Sequence, residues 1–222
     1  MLHKTRGIVF RLVNYSETSI IVTIFTEAFG LQSYIVNGVR KKAKSTSLAL
    51  YQPLTLLDLV VYHRENASIM RIKDVRCLYP YGHIAHDFKK STIALFLCEV
   101  VNKCVKEEAH AHELCDFLIH SFIHLDQMET DSENFHLIFL IQLSRHLGFG
   151  PTLASEISEG WMADSEEEKI ISLLLQVTYT HAIAISNRQR RNILDMILRF
   201  YTLHTENFGE LKSLPVIREI IQ

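Results

Sequence analysis

Along the first 80 residues apolar and polar positions alternate in steps of two, and beyond Pro80 the apolar positions recur three or four apart. Strict alternation is the signature of a half-buried strand, and the longer period that of an amphipathic helix. The first pattern predicts strands over 7–13, 19–26, 31–37, 53–62 and 67–75. Ile8, Phe10 and Leu12 fall on one face of the first, and Ile20, Val22 and Ile24 on one face of the second. β-branched residues favour the extended state, so each of these faces is predicted to be core. Glu27-Ala28-Phe29-Gly30 offers Gly30 for a positive φ, and Arg64-Glu65-Asn66 is a short polar connection, so both are predicted hairpin turns.

Between the third and fourth strands, residues 38–47 contain four cations within five positions and little that builds a core. A solvated loop is predicted there. Five short strands in about 80 residues are too few for an ordinary two-sheet sandwich, which leaves a closed or partly open five-stranded barrel. The OB type is the first choice, and an SH3-like barrel is the alternative.

In the second part Asp87 is placed to cap a helix whose apolar positions are Ile93, Leu97, Val100, Val101, Cys104 and Val105. Further helices are predicted over 113–125 and 132–147, the latter stopped by Gly148-Phe149-Gly150-Pro151. Ser165 with Glu168 and Ser186 with Gln189 have the spacing of capping boxes, and a last pair of helices covers 190–204 and 213–221. The chain is thus expected to be α+β: an N-terminal five-stranded OB-fold over 1–80, then a C-terminal helical bundle over 81–222.

The net charge of −2 over 222 residues hides a sharp division. Residues 1–80 hold 11 Lys and Arg against 5 Asp and Glu, a balance of +6. The remainder hold 12 against 20, a balance of −8. Such asymmetry points the first part toward a polyanion and the second toward something else. The N-terminal apolar run is broken by Arg11 and alternates, which fits neither a signal peptide nor a membrane span, and a cytoplasmic, nucleoid-associated protein is expected.

Catalytic motifs are absent: the chain has no phosphate-binding G-x-x-x-x-G-K-[ST] loop, no G-x-G-x-x-G turn and no G-x-S-x-G elbow. His112-Glu113 is followed by Asp116 where a zinc-protease helix would place its second histidine, and His120 and His124 stand four apart, so ordinary helix-surface histidines are expected. Cys77, Cys98, Cys104 and Cys115 form no C-x-x-C pair and are expected to be buried thiols. No catalytic residue, metal site or cofactor is expected. Arg188, Arg190 and Arg191 crowd a helix start that disfavours positive charge, and pairing with the acidic helices is expected to compensate.

The cations of residues 40–44 have the character of a phosphate-binding segment, since mobile Lys and Arg release condensed counterions when they engage a polyanion. With Arg11, Arg64 and Arg71 on or beside neighbouring strands, and Tyr15, Tyr34 and Tyr62 available to stack on bases, they sketch a nucleic-acid surface.

Several strings resemble one family. Gly7-Ile8-Val9-x-Arg11, Tyr15-Ser16-Glu17-Thr18-Ser19 with Ile21-Val22-Thr23-x-Phe25-Thr26, Gly30, Gly38-x-Arg40 and Leu50-x-Gln52-Pro53 are similar to the N-terminal domain of RecO recombination-repair proteins. Leu147-Gly148-Phe149-Gly150-Pro151 resembles that family's mid-bundle turn, and Leu211-Lys212-Ser213-Leu214 its closing motif. The resemblance implies an OB-fold and a helical domain that bind single- and double-stranded DNA and anneal complementary strands. It also implies partnership with RecR and with the C-terminal tail of single-stranded-DNA-binding protein, and through them the loading of RecA, with no membrane involved. The segment from Arg40 to Lys44 coincides with the DNA-binding region that the resemblance implies, and with the strand-borne arginines the expected DNA-binding residues are Arg11, Arg40, Lys41, Lys42, Lys44, Arg64 and Arg71. Many relatives carry a cysteine zinc hairpin after the mid-bundle turn, whereas this chain has no cysteine beyond Cys115, so no structural zinc is expected. Leu137 and Ile138 stand where some relatives have basic groups for the acidic tail, which leaves Arg145 and Arg199, with Leu147 and Phe149, as the partner-binding candidates. An RNA-binding OB-fold module or a non-catalytic adaptor are the alternative readings of the same barrel.

Overall fold

The computed structural model describes residues 1–39, 48–64, 67–105, 111–129, 132–161, 163–179, 181 and 183–220. They divide into two compact units: Met1–Gly82 with Val105–Ile123, and His83–Cys104 with His124–Gln222.

In the first unit β1 (Leu2–Asn14), β2 (Ile20–Thr26), β3 (Gly30–Val36), β4 (Leu56–Tyr62) and β5 (Met70–Tyr79) close a barrel in the order β1-β2-β3-β5-β4. All pairs are antiparallel except β3 with β5, which gives the five-stranded OB arrangement. β1 is longer than its alternation predicts because it pairs twice. Leu2 to Ile8 face Tyr62 to Leu56 of β4, while Gly7 to Asn14 face Thr26 to Ile20 of β2.

The turn between the two ladders is made by a bulge between Val9 and Arg11. It changes which residues are core. Val9 pairs with Ile24 and Leu12 with Val22, and these line the barrel interior with Ile20, Tyr34, Leu57, Leu59, Val61 and Met70. The predicted face of Ile8, Phe10 and Leu12 is therefore corrected: Ile8 before the bulge and Phe10 within it face away from the interior cluster, and both are buried there, with Phe10 stacked on Phe25 at 5.8 Å. A second bulge, on β5, skips Lys73 between Ile72 and Asp74, so that Ile72 and Val75 both pack against the core.

Gly7 sits where β1 approaches its neighbours most closely. A Cβ there would lie 2.7 Å from Ile24 Cγ2 and 3.0 Å from the Phe25 carbonyl oxygen. The Gln52-Pro53 string forms a turn in which the Thr55 amide donates to the Gln52 carbonyl at 3.1 Å, with Leu54 at φ 74°. Pro53 presets this turn, and the Leu54 amide then donates to the Val9 carbonyl at 2.8 Å, tying the approach to β4 onto the β1 bulge.

The helices are α1 (Phe88–Cys104), α2 (Ala111–Gln127), α3 (Phe135–His146), α4 (Ala154–Ser158), α5 (Ser165–Leu174), α6 (Asn187–His204) and α7 (Leu214–Ile220). Asp87 caps α1 as predicted, accepting from the amides of Lys89 and Lys90 at 2.8 and 3.0 Å. The Ser186–Gln189 box is present at α6. At α5 the box is shifted by one residue: Asp164 caps, accepting from Glu166 and Glu167, and Glu167 returns to the Asp164 amide. An ionised carboxylate at a helix N-terminus gains charge–dipole energy that the Ser165 hydroxyl lacks. α3 ends in the predicted glycine turn, where Gly148 at φ 84° lets the Phe149 amide reach the Ser144 carbonyl and the Gly148 amide the Arg145 carbonyl. The closing motif has a similar job: Glu99 of α1 accepts from the Lys212 and Ser213 amides and the Ser213 hydroxyl, fixing the approach to α7.

Cys98, Cys104 and Cys115 are buried, and Cys77 is exposed because it lies on the outer part of β5 rather than in a helix. α3 is buried along nearly its whole length and carries His136 at 0% exposure. Burial, reinforced by the positive charges of Arg190 and Lys89, lowers the His136 imidazole to about 3.

Two outcomes follow. Gly7→Ala is expected to lower unfolding free energy in urea by about 1–3 kcal/mol, the usual cost of overpacking. The second concerns acid. An unfolded histidine protonates near 6.5 and His136 in the folded chain only near 3, so its contribution is complete above 6.5 and is lost progressively below it. The slope is up to about 1.4 kcal/mol per pH unit. Unfolding midpoints measured from pH 7 to 4 in His136→Leu should lack that component of the slope.

Candidate nucleic-acid interface

The strand register gathers the β1–β2 connection, the exit of β3 and the β4–β5 connection at one end of the barrel. Asn14 pairs with Ile20 and Ile20 with Val36, which places the β1–β2 connection beside the exit of β3. Ile35 pairs with Arg71 and Arg71 with Tyr62, which adds the β4–β5 connection to the same rim. Side chains lock the arrangement: the Ser19 hydroxyl donates to Asn37 Oδ1 at 3.0 Å, and the Tyr15 amide to the Ser19 carbonyl at 3.0 Å. In OB barrels this rim and the β2–β3 face are where oligonucleotides bind.

Of the predicted DNA-binding residues, Arg11, Arg64 and Arg71 are exposed around this rim. Among the described residues none of the three has a carboxylate partner. Arg40, Lys41, Lys42 and Lys44 lie outside the described residues, as do Glu65 and Asn66 of the β4–β5 connection. The points between which that basic segment runs are described. Val39, 4% exposed, is seated in the barrel core, and Leu48 packs against the same core. Tyr15 and Tyr62 are exposed at the rim, 62% and 45%. Tyr34 is not available for stacking: its side chain points into the barrel, where burial raises its phenol well above the usual value.

At the opposite end the charges are consumed. Arg6 grips Glu27 of the β2–β3 turn through Nε at 2.8 Å and Nη2 at 2.6 Å, and reaches Asp116 of α2 at 2.6 Å. His112 Nδ1 lies 2.7 Å from the same Glu27 and its Nε2 3.8 Å from Asp116. The hydrogen bond and charge of Arg6 hold the Glu27 carboxyl below its usual range. His112 thus joins an ion-pair cluster. His120 Nδ1 bonds the Asp116 carbonyl at 2.7 Å, and His124 stacks on Tyr179 at 5.2 Å, so the two rings take different partners.

In the second unit the partner candidates separate. Arg145 is exposed, donates to the Leu175 carbonyl at 2.6 Å and lines a groove of about 580 Å³ with Pro151, Leu153 and Leu175. Leu153 is 63% exposed. Leu147 is the C-cap of α3, and Phe149 packs among Phe200, Tyr201 and His204, so both serve the bundle itself. Arg199 lies against Gly160 rather than in the groove. Of the arginine cluster, Arg188 is 3.9 Å from Asp164, as pairing with acidic helices requires. Arg190 is buried and bonds Asn134, Asn187 and the Ile185 carbonyl.

The class defined by this geometry is an OB-barrel protein with a cationic rim and a separate helical unit. Comparison with known proteins makes it specific. Residues 1–81 match the family described as recombination protein O N terminal, and residues 85–167 the one described as recombination protein O C terminal. A DNA repair protein RecO of Bacteroides fragilis is 33% identical over 99% of both chains, one of Phocaeicola vulgatus is 33% identical over 99% of both, and one of Flavobacterium psychrophilum is 29% identical over 98%. The chain belongs to the RecO family of DNA repair and recombination proteins. Among the described residues no helix is long and apolar enough to cross a membrane.

Arg6→Ala tests the division of labour between the two ends. With Arg6 about one-third exposed, solvent screening limits the loss to about 1 kcal/mol. The stabilisation from Glu27 is fully present above the ordinary carboxylate value and is lost as pH falls from there through the lowered value of the folded chain, so the deficit of Arg6→Ala should be larger at pH 7 than at pH 3. Urea titrations at the two values measure it, and affinity for DNA should be unchanged.

Proposed function

We propose that the barrel binds single- and double-stranded DNA without reading sequence, through Arg11, Arg40, Lys41, Lys42, Lys44, Arg64 and Arg71, and that it anneals complementary strands. Neutralising phosphates on two strands lowers their mutual repulsion, so pairing proceeds without nucleotide hydrolysis or a covalent step. The chain acts in this reading as a recombination mediator in the cytoplasm and on the nucleoid, not as an enzyme. Residues 1–80 serve DNA, and the acidic residues 81–222 serve RecR and the C-terminal tail of single-stranded-DNA-binding protein, which together lead to RecA loading. The groove beside Arg145, Pro151 and Leu153 offers that tail a cation next to an apolar wall.

The observation that carries the reading is the rim itself: Arg11, Arg64 and Arg71 are exposed and lack carboxylate partners among the described residues, around the two anchor points, Val39 and Leu48, of the most basic segment. The experiment is a salt series of binding to a labelled single-stranded oligonucleotide. Each phosphate contact contributes roughly 0.7 to the log–log salt slope for a single strand, so an Arg40, Lys42 and Lys44 triple alanine should bind more weakly and with a slope shallower by about 2. Full affinity in that variant would remove the basic segment from the site. Equal affinity for a matched RNA would favour the RNA-binding reading.

A further inference from the structure

The barrel is closed between β3 and β5 only at Tyr34–Met70 and Ile35–Arg71. Among the described residues, β5 from Ile72 to Leu78 therefore has a strand on one side, β4, and an open edge on the other. The direction of its backbone groups follows from β4. Thr55 and His63, which flank β4, bond to the backbones of Val9 and Met1. The odd-numbered residues of β4 thus turn their backbone groups to β1, and the even-numbered ones turn theirs to β5. Asp74 and Arg76 stand opposite Val60 and Asp58 and bond to β4, whereas Val75 and Cys77 turn their N–H and C=O to the open edge. The Val75 amide, with no strand beside it, donates instead to the carboxylate of its neighbour Asp74 at 3.1 Å.

An open edge invites any extended chain, and natural sheets restrict it with charge. Here the outward side chains are Asp74 and Arg76, both exposed and 3.7 Å apart. Asp58 lies across from Arg76 on β4 and Lys73 precedes Asp74, so acids and bases around the edge balance and a polyanion gains little there. An antiparallel strand must offer a cation opposite Asp74 and a carboxylate opposite Arg76, because like charges placed opposite are destabilising. β5 of a second copy does so in one register. With the two-fold axis at Val75, Asp74 of each copy faces Arg76 of the other. Moving the axis by one residue sets Asp74 against Asp74 or Arg76 against Arg76. Moving it by two sets Lys73 against Lys73, or Cys77 against Cys77 with Arg76 opposite Leu78.

We propose that the open edge of β5 is an interface for a second copy of this chain, which adds antiparallel about Val75 and makes two Asp74–Arg76 pairs across a two-fold axis. The Val75 amide passes from Asp74 to the Val75 carbonyl of the other copy, and the freed carboxylate turns to Arg76 across the axis. Bulges at Lys73 and Leu78 bound the regular part of β5, so the ladder is short and the association weak and reversible. The interface is independent of the DNA-binding reading.

The test is sedimentation velocity of the full chain in reducing buffer, at concentrations rising from micromolar toward millimolar. Wild type is expected to self-associate. Asp74→Arg and Arg76→Asp each set like charges opposite one another twice, and each should weaken self-association about tenfold or more. Mixed in equal amounts, the two variants should associate one to one, because the cations of the first then face the carboxylates of the second. Should either variant fail to fold by circular dichroism, Asp74→Asn keeps an acceptor for the Val75 amide, removes the charge and should weaken association in the same direction. Mild oxidation should give no covalent dimer, since about this axis the two Cys77 residues lie roughly 14 Å apart along the strands, beyond disulfide reach. A wild type that stays monomeric over the whole range, variants that associate as wild type does, a mixture no stronger than its components, or a rapid Cys77 disulfide would each overturn the proposal.

Discussion

The barrel depends on the bulge in β1. A strand whose side chains alternate strictly cannot serve two ladders around a tight closure without turning its core residues outward at the corner. The extra residue between Val9 and Arg11 solves this by shifting the parity. Val9 points inward against Ile24 before it, and Leu12 points inward against Val22 after it. Gly7 admits β2 at close range just before the corner, and the Gln52–Thr55 turn docks on Val9 from the β4 side. Without the shift, Leu12 would face solvent and Arg11 would be driven into a core that has no partner for a guanidinium.

The same parity shift sorts the cations. Arg6 and Arg11 are five residues apart on one strand, and only a bulge lets both face outward. Their surroundings then decide their fate. Arg6 emerges where Glu27 and Asp116 converge and is satisfied by them. Arg11 emerges where β2 and β3 offer only Thr23 and Ser33 across the sheet, so its charge stays available. The bulge at Lys73 does likewise for Arg71 and Arg76 on β5, with Arg71 beside Ile35 and Tyr62, and Arg76 close to Asp74 at 3.7 Å. One end of the barrel is therefore a neutralised structural clasp, and the other carries arginines without a carboxylate partner among the described residues.

These features explain how much was legible in the sequence. The strands, the barrel class, the caps at Asp87 and Ser186 and the Gly148 stop could be read because each is a local pattern with a local cause. The β1 face could not, since a bulge leaves no signature in alternation beyond an unbroken apolar run, here Ile8-Val9-Phe10. The α5 cap moved by one residue because Asp164 and Ser165 are both capable, and only the charge–dipole term separates them. Tyr34 and Tyr62 have the same chemistry and opposite fates, decided by register. Arg11, Arg64 and Arg71 were legible as cations, but their common rim follows from which strands pair, a long-range fact. The packing of Phe149 on α6 was likewise hidden, because an aromatic after a glycine turn serves a groove or a core equally well until the helix it meets is known.

The two units also differ in how their polar groups are used. In the helical unit buried charge is held internally: Arg190 is surrounded by amide oxygens and a carbonyl, Lys90 donates to the Asp126 and Met128 carbonyls, and the Asp126 carboxylate accepts from the His83 and Ile84 amides. Such groups fix the packing of a bundle at the cost of desolvation and leave little charge for a ligand. In the barrel unit the strand backbones and an aliphatic interior hold the fold, and the described cations at the rim are not needed for it. A surface whose charges are dispensable for stability is free to exchange counterions for phosphates, and that freedom, more than the net charge of either half, makes the barrel the part of this RecO-family chain suited to a polyanion.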